Sequence, residues 1–300
     1  IKDILNQSSF DSFMYPTRYN DENEIIRYFD FYFIYSREFW EVDNWELKIS
    51  SSQADGMIYA IIPSNQEEIK KIQESLLSGK HNHKRIVFIL PKEYNNIEKI
   101  ALEYAAVKHL KSLVVDDELL SDEYDIYIED LSEVIDNFIF SYTHPESGCS
   151  NYFYKGEKQQ IYRKAQLSDL LSRICEETFP HTPIINNESI NKNFLPTVAI
   201  NSRTRLLAGL LKNELEPNLG LTGTGQDVSI MRSTLIQTGI LLDVDNTPRL
   251  ELNPEDDKIR NVLNLIQSFF IGANVKGGRC FKELYDQLTM PEHGIGMKCG

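Results

Sequence analysis

A glycine-rich stretch, Gly220-Leu221-Thr222-Gly223-Thr224-Gly225, has the composition of loops whose backbone amides cradle phosphate. A P-loop needs GxxxxGKS or GxxxxGKT, because its lysine must reach the β- and γ-phosphates. Here Gln226-Asp227 follows, and an acid at that point repels phosphate. The dinucleotide spacing GxGxxG fails as well, since Gly223-Thr224-Gly225 runs into Gln226-Asp227-Val228. The stretch is expected to be a plain interhelix loop. His81-Asn82-His83 spells HNH, but nucleases of that name spread their letters over a ββα metal site. Three adjacent residues read as a surface turn. His109, His144, His181 and His293 are scattered, and neither HExxH nor another metal-ligand spacing occurs. No GxSxG elbow presents a nucleophile. The acidic pairs Asp116-Asp117, Glu176-Glu177 and Asp256-Asp257 suit helix ends and solvated faces. Catalytic, cofactor-binding and metal roles are therefore assigned to no residue.

One arginine stands out by its position. Wound as a helix at about 100° per residue, 199–213 gathers Ile200, Leu206, Leu207, Leu210 and Leu211 in one apolar arc, and Arg203 falls inside it. Arg205 points to the opposite, solvent side. A guanidinium among leucines must be paired, because an isolated buried charge is strongly unfavourable. Two roles fit. Arg203 clamps a carboxylate such as Glu188, or backbone carbonyls at a helix end. Alternatively it faces a nucleotide or phosphate supplied by another domain, as an arginine finger does.

The elements that would position such groups fall into two parts. Residues 1–50 are dense in aromatics, among them Phe10, Phe13, Tyr19, Phe29, Phe31, Phe33, Phe39, Trp40 and Trp45, which implies a packing layer or a domain contact. Residues 57–115 read as a βαβα unit. Met57–Ile62 and Ile86–Leu90 are short apolar runs of the kind covered on both faces. Between them Ser64-Asn65-Gln66-Glu67 opens a helix with Ile69, Ile72, Leu76 and Leu77 on one face. A second helix covers about 96–111. Residues 116–145 are acidic and helical, with Leu119, Leu120, Tyr124, Tyr127, Ile128, Leu131, Ile135 and Phe138 as the inner stripe. Turn residues around Tyr152-Phe153-Tyr154 suggest a small hairpin at a domain boundary. From 166 the period is helical, with Leu167, Leu170, Leu171, Ile174 and Cys175 on one face. Further helices are expected at about 197–213, from Asp227 to Gly239, from an Asn253 cap to Gly272, and at about 279–288. The fold class is thus an α/β part built from βαβ units over residues 1–145, followed by a mainly helical part over residues 146–300.

Composition narrows the function classes. With 41% hydrophobic and 25% charged residues the chain is ordinary globular protein. Its net charge of −14 argues against non-specific nucleic-acid binding and leaves room only for a local basic patch. Apolar runs are too short to span a bilayer. Cys149, Cys175, Cys280 and Cys299 lie far apart, with no zinc-ligand spacing, and are expected to be reduced thiols of a cytoplasmic protein. The chain begins at Ile1 and stops at Met297-Lys298-Cys299-Gly300 after a turn-like His293-Gly294-Ile295-Gly296. It is read as a piece of a longer polypeptide.

Four segments carry a resemblance. The first is Pro16-Thr17-Arg18-Tyr19-Asn20 with Ile26-Arg27-Tyr28-Phe29. The second is Leu170–Glu177 with Thr182-Pro183-Ile184-Ile185-Asn186-Asn187-Glu188. The third is Asn218-Leu219-Gly220-Leu221 with Leu235–Gly239. The fourth is Leu284–Leu288 with Pro291-Glu292-His293-Gly294-Ile295. In this order they resemble the middle region of the large P-loop ATPases of bacterial BREX phage-defence systems, the BrxC/PglY-like group. That family carries an AAA+ module before this region, and an arginine at the place of Arg203. The resemblance implies a non-catalytic internal region of a multidomain defence ATPase, with a regulatory or scaffolding role toward partner subunits or DNA. ATP and Mg²⁺ are implied for the parent protein only, since these residues lack Walker A and Walker B motifs. A DNA-binding module with helix-turn-helix or winged-helix units, and a self-contained protein-interaction domain docking through its aromatic N-terminal segment, remain as alternatives.

Overall fold

Phe29, Phe31 and Phe33 alternate with Asp30, Tyr32 and Ile34, which is the period of a strand, and a strand forms there. The computed structural model describes residues 2–7, 13–50, 53–114, 117–191, 194–244, 247–276 and 278–298. Phe10, Asp116 and Cys299 lie outside the described residues, as does the side chain of Phe13. The chain divides into two compact units, one of 1–16 and 28–171, the other of 17–27 and 172–300. The expected division at 145/146 gives way to this one for two reasons. The hairpin after Pro145 adds strands to the sheet, and Thr17–Arg27 belongs with the second unit.

The first unit opens with α1 (Lys2–Gln7) and β1 (Phe13–Met14). After α2 (Thr17–Asn23), which belongs to the second unit, come β2 (Phe29–Tyr35), α3 (Ser36–Glu41), α4 (Trp45–Ser50), β3 (Gly56–Ile62), α5 (Gln66–Leu77) and β4 (Ile86–Pro91). Then follow α6 (Ile97–Leu113), α7 (Glu118–Thr143) and the hairpin β5 (Ser150–Tyr154) and β6 (Glu157–Gln159). The six strands lie in sequence order, with β2, β3 and β4 parallel and the others antiparallel to their neighbours. This is the mixed sheet with βαβ connections that the apolar runs announce.

Every residue of β3 and β4 is buried, because helices cover both faces. On one face Phe39, Trp45, Ile49, Ile69, Ile72 and Leu76 from α3, α4 and α5 pack on Met57, Tyr59, Ile61, Ile86, Phe88 and Leu90. On the other, Phe138 and Tyr142 of α7 pack against Phe33, Tyr142 edge-on, and the Tyr142 hydroxyl donates to the Ile61 carbonyl at 3.1 Å. Most of the aromatic N-terminal segment is core: Tyr19, Phe29, Phe31, Phe33, Phe39 and Trp45 are buried, whereas Tyr15, Tyr32 and Trp40 are exposed. The Asn65 side chain caps α5 by accepting from the Glu68 amide. In α7 the inner stripe begins only at Leu131, while Leu119 and Tyr127 are exposed.

The helix α8 (Lys164–Thr178) bears the expected face, with Leu167, Leu170, Leu171, Ile174 and Cys175 all buried. In the second unit α9 (Thr197–Leu210) packs on α10 (Gln226–Met231), which runs on into a π-helical turn at Arg232–Ile236. A hairpin that periodicity did not announce, β7 (Leu241–Val244) and β8 (Thr247–Leu250), comes next. Helices α11 (Asp257–Lys276) and α12 (Phe281–Thr289) follow. The start of α11 is later than an Asn253 cap would give, because the Asp256 carboxylate takes the Ile259 amide at 2.9 Å. Its end passes Gly272. Cys149, Cys175 and Cys280 are free thiols, and Cys175 is buried.

Candidate functional site

Parallel α/β sheets bind ligands outside the carboxyl ends of their strands, where the strand order reverses. Here the order advances without reversal, and α3, α4 and α5 stay on one face. The carboxyl edge is closed by its own side chains. Glu68 accepts from the Ser64 amide at 2.7 Å and from the Trp40 indole at 3.3 Å, and Ser36 Oγ meets Ser64 Oγ. Burial raises the Glu68 pKa, but these donors outweigh it and hold the carboxyl below its ordinary value. A carboxylate thus sits where the first turn of α5 would otherwise receive an anion.

His81-Asn82-His83 does lie in a turn, after α5, but both rings face inward, His81 buried and His83 half-buried. His81 is buried, its Nδ1 accepting from the Trp45 indole at 3.3 Å and its Nε2 meeting Ser75 Oγ at 3.0 Å. His83 Nδ1 accepts from the Arg85 amide at 3.1 Å, and Nε2 meets Glu46 Oε2 at 2.7 Å. Arg85 pairs with the same Glu46 and reaches the Asp55 carbonyl. Burial lowers both histidine pKa values, against the pull of Glu46 on His83. Each ring nitrogen that faces an N–H is an acceptor, so both rings are fixed as neutral tautomers. Among the described residues no group of three His, Cys, Asp or Glu could hold a metal. No helix of the described residues is long and apolar enough to cross a membrane.

The second unit corrects the expectation for Arg203. The arc of Ile200, Leu207 and Leu211 exists, but it faces solvent, and Arg203 is exposed with it. The buried face of α9 is Ala199, Ser202, Leu206 and Gly209. Small residues win that face because backbone approaches it. A Cβ on Gly209 would lie 2.7 Å from the Leu219 carbonyl oxygen. Arg205, expected to be free in solvent, is exposed but bridges Asp227 at 2.9 Å. That hydrogen bond, with the Val228 amide, holds the Asp227 carboxyl below its ordinary value. Glu188 is exposed and does not meet Arg203.

The glycine-rich loop turns through left-handed Gly220 and Gly223, and α10 follows it. Beside it lies a cavity of about 200 Å³ lined by Asn186, Thr224, Val228, Ser229, Arg232, Ser233 and Gln237. Ser233 is already satisfied by the Asn187 amide and the Ile230 carbonyl.

Sequence reasoning passed over the most buried charge in this unit. Arg27 is 1% exposed. Its guanidinium donates to the Gly296 carbonyl at 2.8 Å and to Thr182 Oγ1 at 3.1 Å. Thr182 Oγ1 in turn donates to the Ile295 carbonyl, and the Tyr19 hydroxyl reaches the Phe179 carbonyl at 3.2 Å. Burial raises the Tyr19 pKa, opposed by the charge of Arg27. No spacing rule marks Arg27, because its partners come from segments distant in the chain. The chain matches no family model, no curated protein and no solved structure.

Proposed function

We propose that this chain is a non-catalytic region of a bacterial BREX-type phage-defence ATPase, with a regulatory or scaffolding role that couples the ATPase module to partners. The observation that carries this reading is the cluster around Arg27. Tyr19 and Arg27 come from the first segment of the resemblance, Thr182 from the second and Ile295 from the fourth, and they share one hydrogen-bonded core. These residues thus belong to one compact unit, as parts of a single region would. ATP and Mg²⁺ belong, on this reading, to a P-loop module elsewhere in the parent polypeptide. The free thiols of Cys149, Cys175 and Cys280 support a cytoplasmic setting. The test is made in the bacterium that encodes the protein, by deleting codons 172–298 in frame and measuring phage plaquing. Plaquing should rise to that of a strain lacking the whole gene. Plaquing equal to that of the intact strain would overturn the reading.

Element order favours a second reading. In the second unit α9, α10 and the β7–β8 hairpin succeed one another as in a winged-helix unit. Residues 197–250 hold five basic side chains (Arg203, Arg205, Lys212, Arg232, Arg249) against five acidic ones (Glu214, Glu216, Asp227, Asp243, Asp245), so a basic footprint is missing. Anisotropy of a labelled duplex decides: saturable binding that weakens with salt supports DNA coupling, and none leaves protein partners.

A further inference from the structure

We propose that the outer face of α7 is a docking surface for a cationic amphipathic helix of a partner protein. The first unit by itself supplies the reasons, and they do not depend on the defence reading.

Helix α7 is about 39 Å long at 1.5 Å per residue. At about 100° per residue it carries two apolar faces. Leu131, Ile135, Phe138, Ile139 and Tyr142 point into the core. Roughly 145° round the helix, Leu119, Ile126, Val134 and Phe140 form a second stripe, and all four are exposed, Leu119 at 73% and Ile126 at 63%. A solvated helix face has no use for such a stripe. Apolar side chains repeated along one face are how a groove or a neighbouring helix reads a partner.

Charge selects the partner. From Ser112 to Thr143 the sequence holds ten acids (Asp116, Asp117, Glu118, Asp122, Glu123, Asp125, Glu129, Asp130, Glu133, Asp136) and no lysine or arginine. This one stretch therefore carries −10 of the chain's −14. Glu123, Asp130 and Glu133 lie within the stripe, and Asp122, Glu129 and Asp136 run along one edge of it. Nucleic acid and anionic lipid are repelled by that field. A lysine- or arginine-rich amphipathic helix is matched by it twice, through apolar contact along the stripe and opposite charge within the stripe and along one rim. Leu119 to Phe140 spans roughly 32 Å, which a partner helix of about 20 residues would cover.

The probe is a labelled Leu/Lys amphipathic peptide of 20 residues, read by fluorescence anisotropy against the full chain. Two controls accompany it: a scrambled peptide of the same composition, and a Leu/Glu peptide. The amphipathic cation should bind at least ten-fold more tightly than its scramble, and the Leu/Glu peptide should not bind. Leu119→Ser with Ile126→Ser should weaken binding ten-fold or more, as should Glu123→Lys with Asp130→Lys. All four sites are exposed, so the fold should survive, as circular dichroism will report. Equal binding of amphipathic and scrambled peptides would overturn the proposal, leaving only counterion attraction. So would binding indifferent to both double variants. Sedimentation showing a dimer that L119S/I126S converts to monomer would also overturn it, by making a second copy the occupant.

Discussion

The guanidinium carbon of Arg27 lies 3.6 Å from the centre of the Phe179 ring. The ring covers one side of the cation while Gly296 and Thr182 accept its hydrogen bonds. Gly296 has a positive φ of 58°, and a Cβ there would fall 2.3 Å from the Phe179 ring, so the C-terminal segment can close over the cation only with glycine at this position. Arg27→Met keeps much of the stem and removes the donors. A buried acceptor left unmet costs about 1–3 kcal/mol, and the lost cation–π contact about 0.5–2 kcal/mol. Circular-dichroism urea melts should lose about 2–4 kcal/mol. A loss within about 0.5 kcal/mol, the range of ordinary surface changes, would contradict the assigned role.

The two arginines of α9 should separate in the direction opposite to their sequence reading. Arg203→Ala should change stability by less than about 0.5 kcal/mol, as exposed sites do. Arg205→Ala removes the bridge to Asp227 and should cost about 0.2–1 kcal/mol, less in high salt. Melts at low and high ionic strength check both the order and the salt dependence.

Gly209→Ala sets helix propensity against packing. Alanine gains about 1 kcal/mol inside a helix. Its Cβ, however, would meet Leu219 backbone and side chain at under 3 Å, at a point where Asn218 and Leu219 already hold left-handed conformations. Overpacking costs about 1–3 kcal/mol, so the variant should be net destabilised. A stabilised variant would show that the Pro217–Gly220 turn yields.

Acid should loosen the first unit. The folded pKa values of His81 and His83 lie below the ordinary value, chiefly through burial. In that case the unfolded chain binds the extra protons first. The stability these rings contribute is complete above about pH 6.5 and falls as pH drops through the lowered folded values. The Trp45 indole donates to His81, so tryptophan fluorescence reports the change. Urea midpoints should drop between pH 7.5 and 5.5, and His81→Phe should flatten that slope. An unchanged slope in the variant would remove His81 from the account.

Some of this molecule was set by short-range pattern. Met57–Ile62 and Ile86–Leu90 are strands because apolar runs that short can only be covered from both sides, and the Asn65 cap starts α5 by purely local hydrogen bonding. The buried face of α8, Cys175 included, follows from its period. The missing lysine after Gly225 is equally local, since a phosphate cradle is a matter of adjacent residues.

Tertiary structure decided the rest. Helix α9 is apolar on more than one side, so period alone could not say which side is inside, and the close backbone of Leu219 chose the small residues. In α7 the pattern showed leucines and tyrosines, but the core reaches only from Leu131 onward, which left Leu119 and Ile126 in solvent. The Arg27 cluster joins residues more than 150 positions apart, and no spacing along a chain encodes a contact that folding creates between distant segments. Periodicity tells which residues can share a face; what covers that face is settled only when the other segments arrive.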